Sequence, residues 1–218
     1  MMFQLDYAGE LLPILLEASL VTLGATLGGM ALALVLGLAL ALLRRSPHAV
    51  LRRPASMFVE FVRSTPLLIQ IFFIYYVLPL YGVRIPTVAC GIVALGLHYA
   101  TYTAEVYRAG IEAVPRGQWE AGRALSLPAY RIWRHIVLPQ ALPPVVPALG
   151  NYLIAMFKET PLLAVIGVHE LLGTALQEAS QTYRYYEPLT LVGLIFLAFS
   201  LIAALILRRV EVRLADRS

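Results

Sequence analysis

Residues 118–141 read QWEAGRALSLPAYRIWRHIVLPQA, a polar and basic island in an otherwise apolar chain. From Val114 to Leu125 the pattern sets Trp119, Ala121, Ala124 and Leu125 against Glu120 and Arg123, as in a short amphipathic helix. Ser126 predicts the cap of a second helix, and Pro128 fits that helix's first turn. In this second helix Ile132, Trp133, Ile136 and Val137 form one stripe, while Arg131, Arg134 and His135 stay wet. Pro139, Pro143, Pro144 and Pro147 then withhold four backbone donors within nine residues, which predicts a break in regular helix.

The segments on either side of this island set the class. The chain has 218 residues, 60% of them hydrophobic and 14% charged, with a mean hydropathy of +0.76. A soluble domain is about half apolar and a quarter charged, so the surplus predicts an all-α, polytopic membrane protein. The single cysteine, Cys90, excludes an internal disulfide and a cysteine-based metal cluster. The net charge of +4 comes from basic runs beside apolar segments, which suits membrane orientation rather than nucleic-acid binding. Asp6 and Glu10 stand where a cleaved signal would carry basic residues. The first helix is therefore expected to stay as an anchor with its N-terminus outside.

A hydrocarbon core about 30 Å thick needs roughly 20 helical residues. Five stretches meet or approach that need, roughly 14–43, 57–80, 87–112, 142–161 and 188–207. They form a single transmembrane domain over 1–218, with a cytoplasmic loop at 113–140 and an external loop at 170–187. Pro13 interrupts the mixed stretch before the first helix, which reads as an interfacial helix or as the start of helix one. Gly24 and Gly28 share a face and allow close helix contact. Gln70 lies deep in helix two, where an amide needs a partner. The charges orient the bundle. Arg44, Arg45, Arg52, Arg53, Arg108, Arg116, Arg123, Arg131, Arg134, Arg208, Arg209, Arg213 and Arg217 fall inside, against Arg84 and Arg184 outside. That excess predicts an N-out, C-in arrangement.

Two places hold chemistry within the apolar segments. Helix three turns polar at His98, Tyr99, Thr101, Tyr102, Thr103, Glu105 and Arg108, and ionisable groups in a membrane helix face the bundle or a cavity. The fourth segment is apolar for only thirteen residues, 145–157, before Lys158, Glu159, Thr160 and Pro161. A short apolar segment interrupted by charge and proline points to a transporter's midplane site. The alternative is that Lys158 and Glu159 mark the outer end of a span that begins near Leu142. No G-x-x-x-x-G-K-[ST] and no H-E-x-x-H occurs, and His48, His98, His135 and His169 are scattered, so neither ATP binding nor a metal site is expected in this chain.

The loop resembles the "EAA" cytoplasmic loop of permease subunits in ATP-binding-cassette importers. Glu120-Ala121-Gly122, then Ser126, then Ile136-Val137-Leu138-Pro139 keep that family's spacing, with Gly122 replacing its second alanine and Ser126 its glycine. EFVRSTPLLIQ (60–70), YTAEVYRAGIEAVPRGQ (102–118) and KETPL (158–162) are similar to the polar-amino-acid uptake subfamily. Within it, YTAEVYRAGIEAVPRGQWEA and PALGNYLIAMFKETPLL look most like permeases for ectoine and hydroxyectoine, which are cyclic zwitterions. The resemblance implies a type I importer permease, without enzymatic activity, in the bacterial inner membrane. Its partners would be a second permease subunit (the same chain or a homologue), a cytoplasmic ATPase dimer holding ATP and Mg, and an extracytoplasmic solute-binding protein. Trp119, Glu120, Ala121, Gly122, Arg123, Leu125 and Ser126 would then form the ATPase-coupling loop, and Lys158, Glu159, Thr160, Tyr102 and Glu105 would contact substrate during alternating access. The rival readings are an ion-coupled carrier or channel using Glu105 and Lys158, a membrane enzyme using His98 and Glu105, and a loop that only rests on lipid headgroups.

Overall fold

A computed structural model describes residues 3–215, and every element among them is helical. The chain runs α1 (Leu5–Arg44), α2 (Ala49–Arg63), α3 (Leu67–Phe72), α4 (Thr87–Glu112), α5 (Arg116–Ala124), α6 (Ala129–Ile132), α7 (Leu138–Glu159), α8 (Leu171–Thr182) and α9 (Tyr186–Ala215). Three stretches are long and apolar enough to cross a membrane, Leu5–Arg44, Ala129–Ile166 and Tyr186–Leu214. The pair Ala49–Arg63 and Leu67–Tyr81, bent by 106°, makes a fourth if counted together. With 26 residues, about 39 Å at the α-helical rise, α4 has the length to cross, and its polar second half dilutes its hydropathy. Arg208, Arg209 and Arg213 are exposed at the end of α9; Arg217 lies outside the described residues.

The core is a parallel pair, α1 against α4. The close approach is at Gly29, Ala33 and Gly37, one turn further along than the predicted Gly24 and Gly28. A Cβ on Gly29 would sit 3.1 Å from Leu95 Cβ, and one on Gly37 would strike Thr103 Oγ1 and lie 2.8 Å from the Ala100 carbonyl oxygen. At Gly24 nothing lies within 4 Å, while a Cβ on Gly28 would meet the Ile92 side chain of α4 at an ordinary 3.4 Å. The Thr103 hydroxyl fills the seam and donates to the Ala33 carbonyl at 2.8 Å. Cys90 is buried, its thiol donating to the Ile85 carbonyl.

Prolines interrupt less than the sequence suggests. Pro13 sits inside an unbroken α1, because the turns around it are held by packing: Leu11 and Leu15 are buried with Leu171, Ala175, Val192 and Ile195. Pro143, Pro144 and Pro147 likewise lie within a continuous α7. The irregularity falls just upstream instead. Widened π turns occupy Phe73–Val77 and Trp133–Val137, and each is followed directly by Leu-Pro, at Pro79 and Pro139. A π turn re-routes the carbonyls that a proline leaves without donors.

The stretch read as one helix over 57–80 is divided at Ser64–Pro66, where the chain turns sharply. Gln70 finds its partners there. Its side-chain amide donates to Val62 O at 2.8 Å, Thr65 O at 3.0 Å and Thr65 Oγ1 at 2.9 Å, closing carbonyls left open at the end of α2. On the opposite side of the molecule, α8 packs across the first turns of α1. Glu170 caps it, accepting from Gly173 N at 2.7 Å and from the Thr22 hydroxyl at 3.4 Å. Burial pushes the Glu170 carboxyl up, and these donors pull the other way.

Candidate functional site

The two regions singled out in the sequence occupy different levels of the molecule. The first is the loop. Here α5 ends in a Schellman turn: Leu127 N–H donates to Gly122 O at 3.1 Å, Ser126 N–H donates to Arg123 O at 2.9 Å, and Ser126 is left-handed at φ 52°. Ser126 therefore closes the first helix and does not cap the second, whose cap position is Pro128. This is the backbone reason for a glycine in the resembled pattern, since a left-handed residue with a Cβ costs about 1–2 kcal/mol. Ser126→Gly is expected to raise the melting temperature of the solubilised protein slightly, and Ser126→Val to lower it by several degrees. Differential scanning fluorimetry of the two variants checks the order.

Gly122 is buried under the second helix. A Cβ there would sit 3.0 Å from Ile132 Cγ1 and 3.2 Å from Ile136 Cδ1. Trp119 turns inward and meets Trp133 edge-on at 5.2 Å, on a small core of Ile111, Val114, Ile132, Val137 and Ala141. The Arg45 guanidinium lies 5.9 Å from the Trp133 ring, which ties the end of α1 to the loop. What projects outward is Glu120, Ala121, Arg123 and Leu125, the last 73% exposed. Among the described residues no ion pair engages Glu120 or Arg123. The loop is thus a knob with its two tryptophans turned inward and Glu120, Arg123, Leu125 and Tyr130 outside.

The second region lies where α7 stops. The Tyr99 hydroxyl donates to Glu159 Oε2 at 2.9 Å. Tyr99 is twelve residues into α4, about 18 Å along a helix of about 39 Å. So α7 ends beside the middle of α4, and the chain continues as a 3-10 helix, Thr160–Ile166, with Leu163 packed beside Gly91. Tyr99, Tyr102 and Tyr152 form a triangle of rings 5.5–6.1 Å apart, with His98 at 5.2 Å from Tyr102. The Arg63 guanidinium lies over the Tyr102 ring at 5.0 Å. His98 Nδ1 and Gln70 Oε1 are 3.2 Å apart, linking this cluster to the bend after α2.

The five predicted substrate contacts therefore divide. Glu159 and Tyr102 join one cluster. Glu105 is half-buried and already taken: it pairs with Arg44, with Arg108 at 2.8 Å and with Arg63 at 3.9 Å, while Arg108 also reaches Glu112 at 2.6 Å. Thr160 is buried, its hydroxyl donating back to Phe157 O at 2.7 Å. Lys158 is exposed and in no ion pair among the described residues. Tyr99, Tyr152 and Arg63 were missed as site residues. Tyr152 is seven residues before Glu159, two turns along one helix face, and that spacing was the signal. Chemically, the cluster offers a carboxylate, a guanidinium and aromatic faces between them, which suits a solute bearing both charges.

Residues 33–216 match the family described as "binding-protein-dependent transport system inner membrane component". The chain is 44% identical over 214 residues, 98% of its length and 93% of the relative's, to a probable amino-acid ABC transporter permease of Sinorhizobium fredii. It is 35% identical to the arginine transport system permease of Bacillus subtilis, covering 96% of this chain and 97% of that one. A crystal structure of an amino acid ABC transporter with histidines superposes with a TM-score of 0.92 at 34% identity, covering 98% of this chain and all of the other. These relatives are permease subunits, which are not enzymes; the ATPase is a separate chain. With its all-helical architecture and its outward-facing loop knob, the chain belongs to the family of binding-protein-dependent inner-membrane transport components, as a permease subunit of an ABC transporter.

Proposed function

We propose that this subunit imports a polar amino acid or a zwitterionic amino-acid derivative across the bacterial inner membrane by alternating access. The observation that carries this reading is the Tyr99–Glu159 contact halfway along α4, where α7 stops, beside Tyr102, Tyr152 and Arg63. Glu159 and the tyrosine faces take the solute's ammonium, and Arg63 its carboxylate. Lys158 stands as a second cation for a carboxylate on its way through. The five crossings are α1, the leg from α3 to Tyr81, α4, α7 with its 3-10 extension, and α9, with the N-terminus outside. ATP and Mg are held by a cytoplasmic ATPase dimer docked on the knob at Glu120, Arg123 and Leu125. A solute-binding protein delivers from outside, where Tyr183, Tyr185 and Tyr186 are exposed, and a second permease subunit completes the pathway.

The test is uptake into proteoliposomes holding the permease, the ATPase and the binding protein, with arginine, glutamine, ectoine and hydroxyectoine as competing solutes. ATP-dependent uptake of one zwitterion supports the reading. Uptake without the ATPase returns the chain to the carrier class. Glu120→Ala is expected to lower ATPase co-purification and uptake severalfold with the permease still folded; unchanged uptake would remove the loop from coupling.

A further inference from the structure

We infer that α2 is not part of a membrane crossing but an interfacial helix, lying on the cytoplasmic leaflet and gripping anionic lipid headgroups with Arg52 and Arg53. Its depth follows from one carboxylate. Arg44, five residues before α2 begins, and Arg63, at its last residue, both reach Glu105. A helix of 15 residues, about 22 Å long, that is bracketed by contacts to a single side chain does not traverse the bilayer. The 106° turn into Leu67–Tyr81 agrees, since the second leg is the one that rises along α4.

Around its axis α2 has three arcs. Ala55, Val59 and Val62 are buried in the protein. Arg52, Arg53, Ser56, Glu60 and Arg63 share a second arc. Val50, Leu51, Pro54, Met57, Phe58 and Phe61 share a third, about 120° wide at 100° per residue. That apolar arc is bare: Val50 is 83% exposed, Met57 69% and Phe61 68%. Phe58 and Phe61 also line an apolar groove of about 330 Å³ with Ile69, Phe73 and Leu78 of the rising leg. The arc and the leg therefore face the same inner corner, so the bare residues look into the bilayer and not into the cytoplasm.

Charge names the occupant. Arg52 and Arg53 are exposed and in no ion pair among the described residues, and they sit in the first turns of α2. An apolar arc bordered by Arg53, with Arg52 on the polar arc beyond it, fits acyl chains topped by anionic headgroups. A packed protein helix would need the apolar arc but not the arginines. The inference is independent of which solute crosses.

The experiment uses the full permease assembled with its partner subunits in liposomes of phosphatidylethanolamine and phosphatidylglycerol. Cys90 is buried, so single nitroxide labels are placed at Met57→Cys, Phe61→Cys and Ser56→Cys without removing it. Expected is several-fold higher collision with oxygen at 57 and 61 than at 56, and the reverse with a water-soluble nickel chelate. Shielding of 57 and 61 from both reagents would mean that a protein partner covers the arc, and high nickel access there would mean water; either overturns the inference. For the headgroups, ATP-driven uptake should rise severalfold with the phosphatidylglycerol fraction, and Arg52→Gln with Arg53→Gln should flatten that dependence. An unaltered dependence would overturn the arginine role.

Discussion

Replacing Gly37 with leucine is expected to remove the folded protein from the membrane fraction. The α1–α4 seam has no room for a side chain at that level, since even a Cβ would strike Thr103 Oγ1 and lie 2.8 Å from the Ala100 carbonyl oxygen. Thr103 cannot simply rotate away, because its hydroxyl closes the Ala33 carbonyl at 2.8 Å in a buried place. In a membrane, helix association rests on close packing of small residues, and overpacking a tight core costs about 1–3 kcal/mol or more. Separating two helices along a seam that runs through Gly29 and Ala33 multiplies the loss. Gly37→Ala should be milder, and Gly24→Leu should be silent, because nothing lies within 4 Å of a Cβ at 24. Fluorescence-detected size exclusion of the three variants separates these cases; equal profiles for positions 24 and 37 would contradict the seam.

The second large effect belongs to Glu105. Removing this carboxylate leaves Arg44, Arg63 and Arg108 crowded at one level with only Glu112 in reach of Arg108. Stripping one partner from a buried ion pair costs about 3–5 kcal/mol. Glu105 is half-buried, so about 2–3 kcal/mol is a fitting size after solvent screening. Glu105→Ala should therefore lower the melting temperature markedly and cut uptake more than tenfold, with no selective rise in KM. Arg63→Ala should cost less stability, because its contact to Glu105 is 3.9 Å and its side chain is nearly half exposed. A variant of Glu105 that kept its melting temperature but lost affinity for solute would restore it as a substrate contact.

The contrast at Glu105 shows what the sequence carries. The count of arginines and the apolar runs announce a helical membrane bundle, because both are set by the solvent and act residue by residue. The loop was legible because its spacing is local, and Ser126 was misassigned only because capping and left-handed closure favour overlapping residue types. Glu105 was read as available for solute, since its committed partners come from three separate helices. Sequence spacing shows the i+3 neighbour Arg108 but not Arg44 or Arg63. Prolines misled for a related reason: tertiary packing at Leu11 and Leu15 outweighs the lost hydrogen bond at Pro13, and the π turns before Pro79 and Pro139 absorb what the ring displaces.

The length of α1 bears on how the protein meets bilayers of different acyl-chain length. Its 40 residues span about 60 Å, roughly twice the hydrocarbon core. The outer overhang is covered by α8 and the start of α9, and is pinned where Gln4 N–H donates to Glu187 Oε1 at 3.0 Å and Arg184 reaches both Gln4 and Glu187 at 2.6 Å. A helix that long would tilt to relieve mismatch if it stood alone. Fastened at the top, it is not free to do so. Thicker or thinner lipid is then met by tilting α1, α4, α8 and α9 together, since α1 is fastened to α8 and α9 at its start and packed along α4 below.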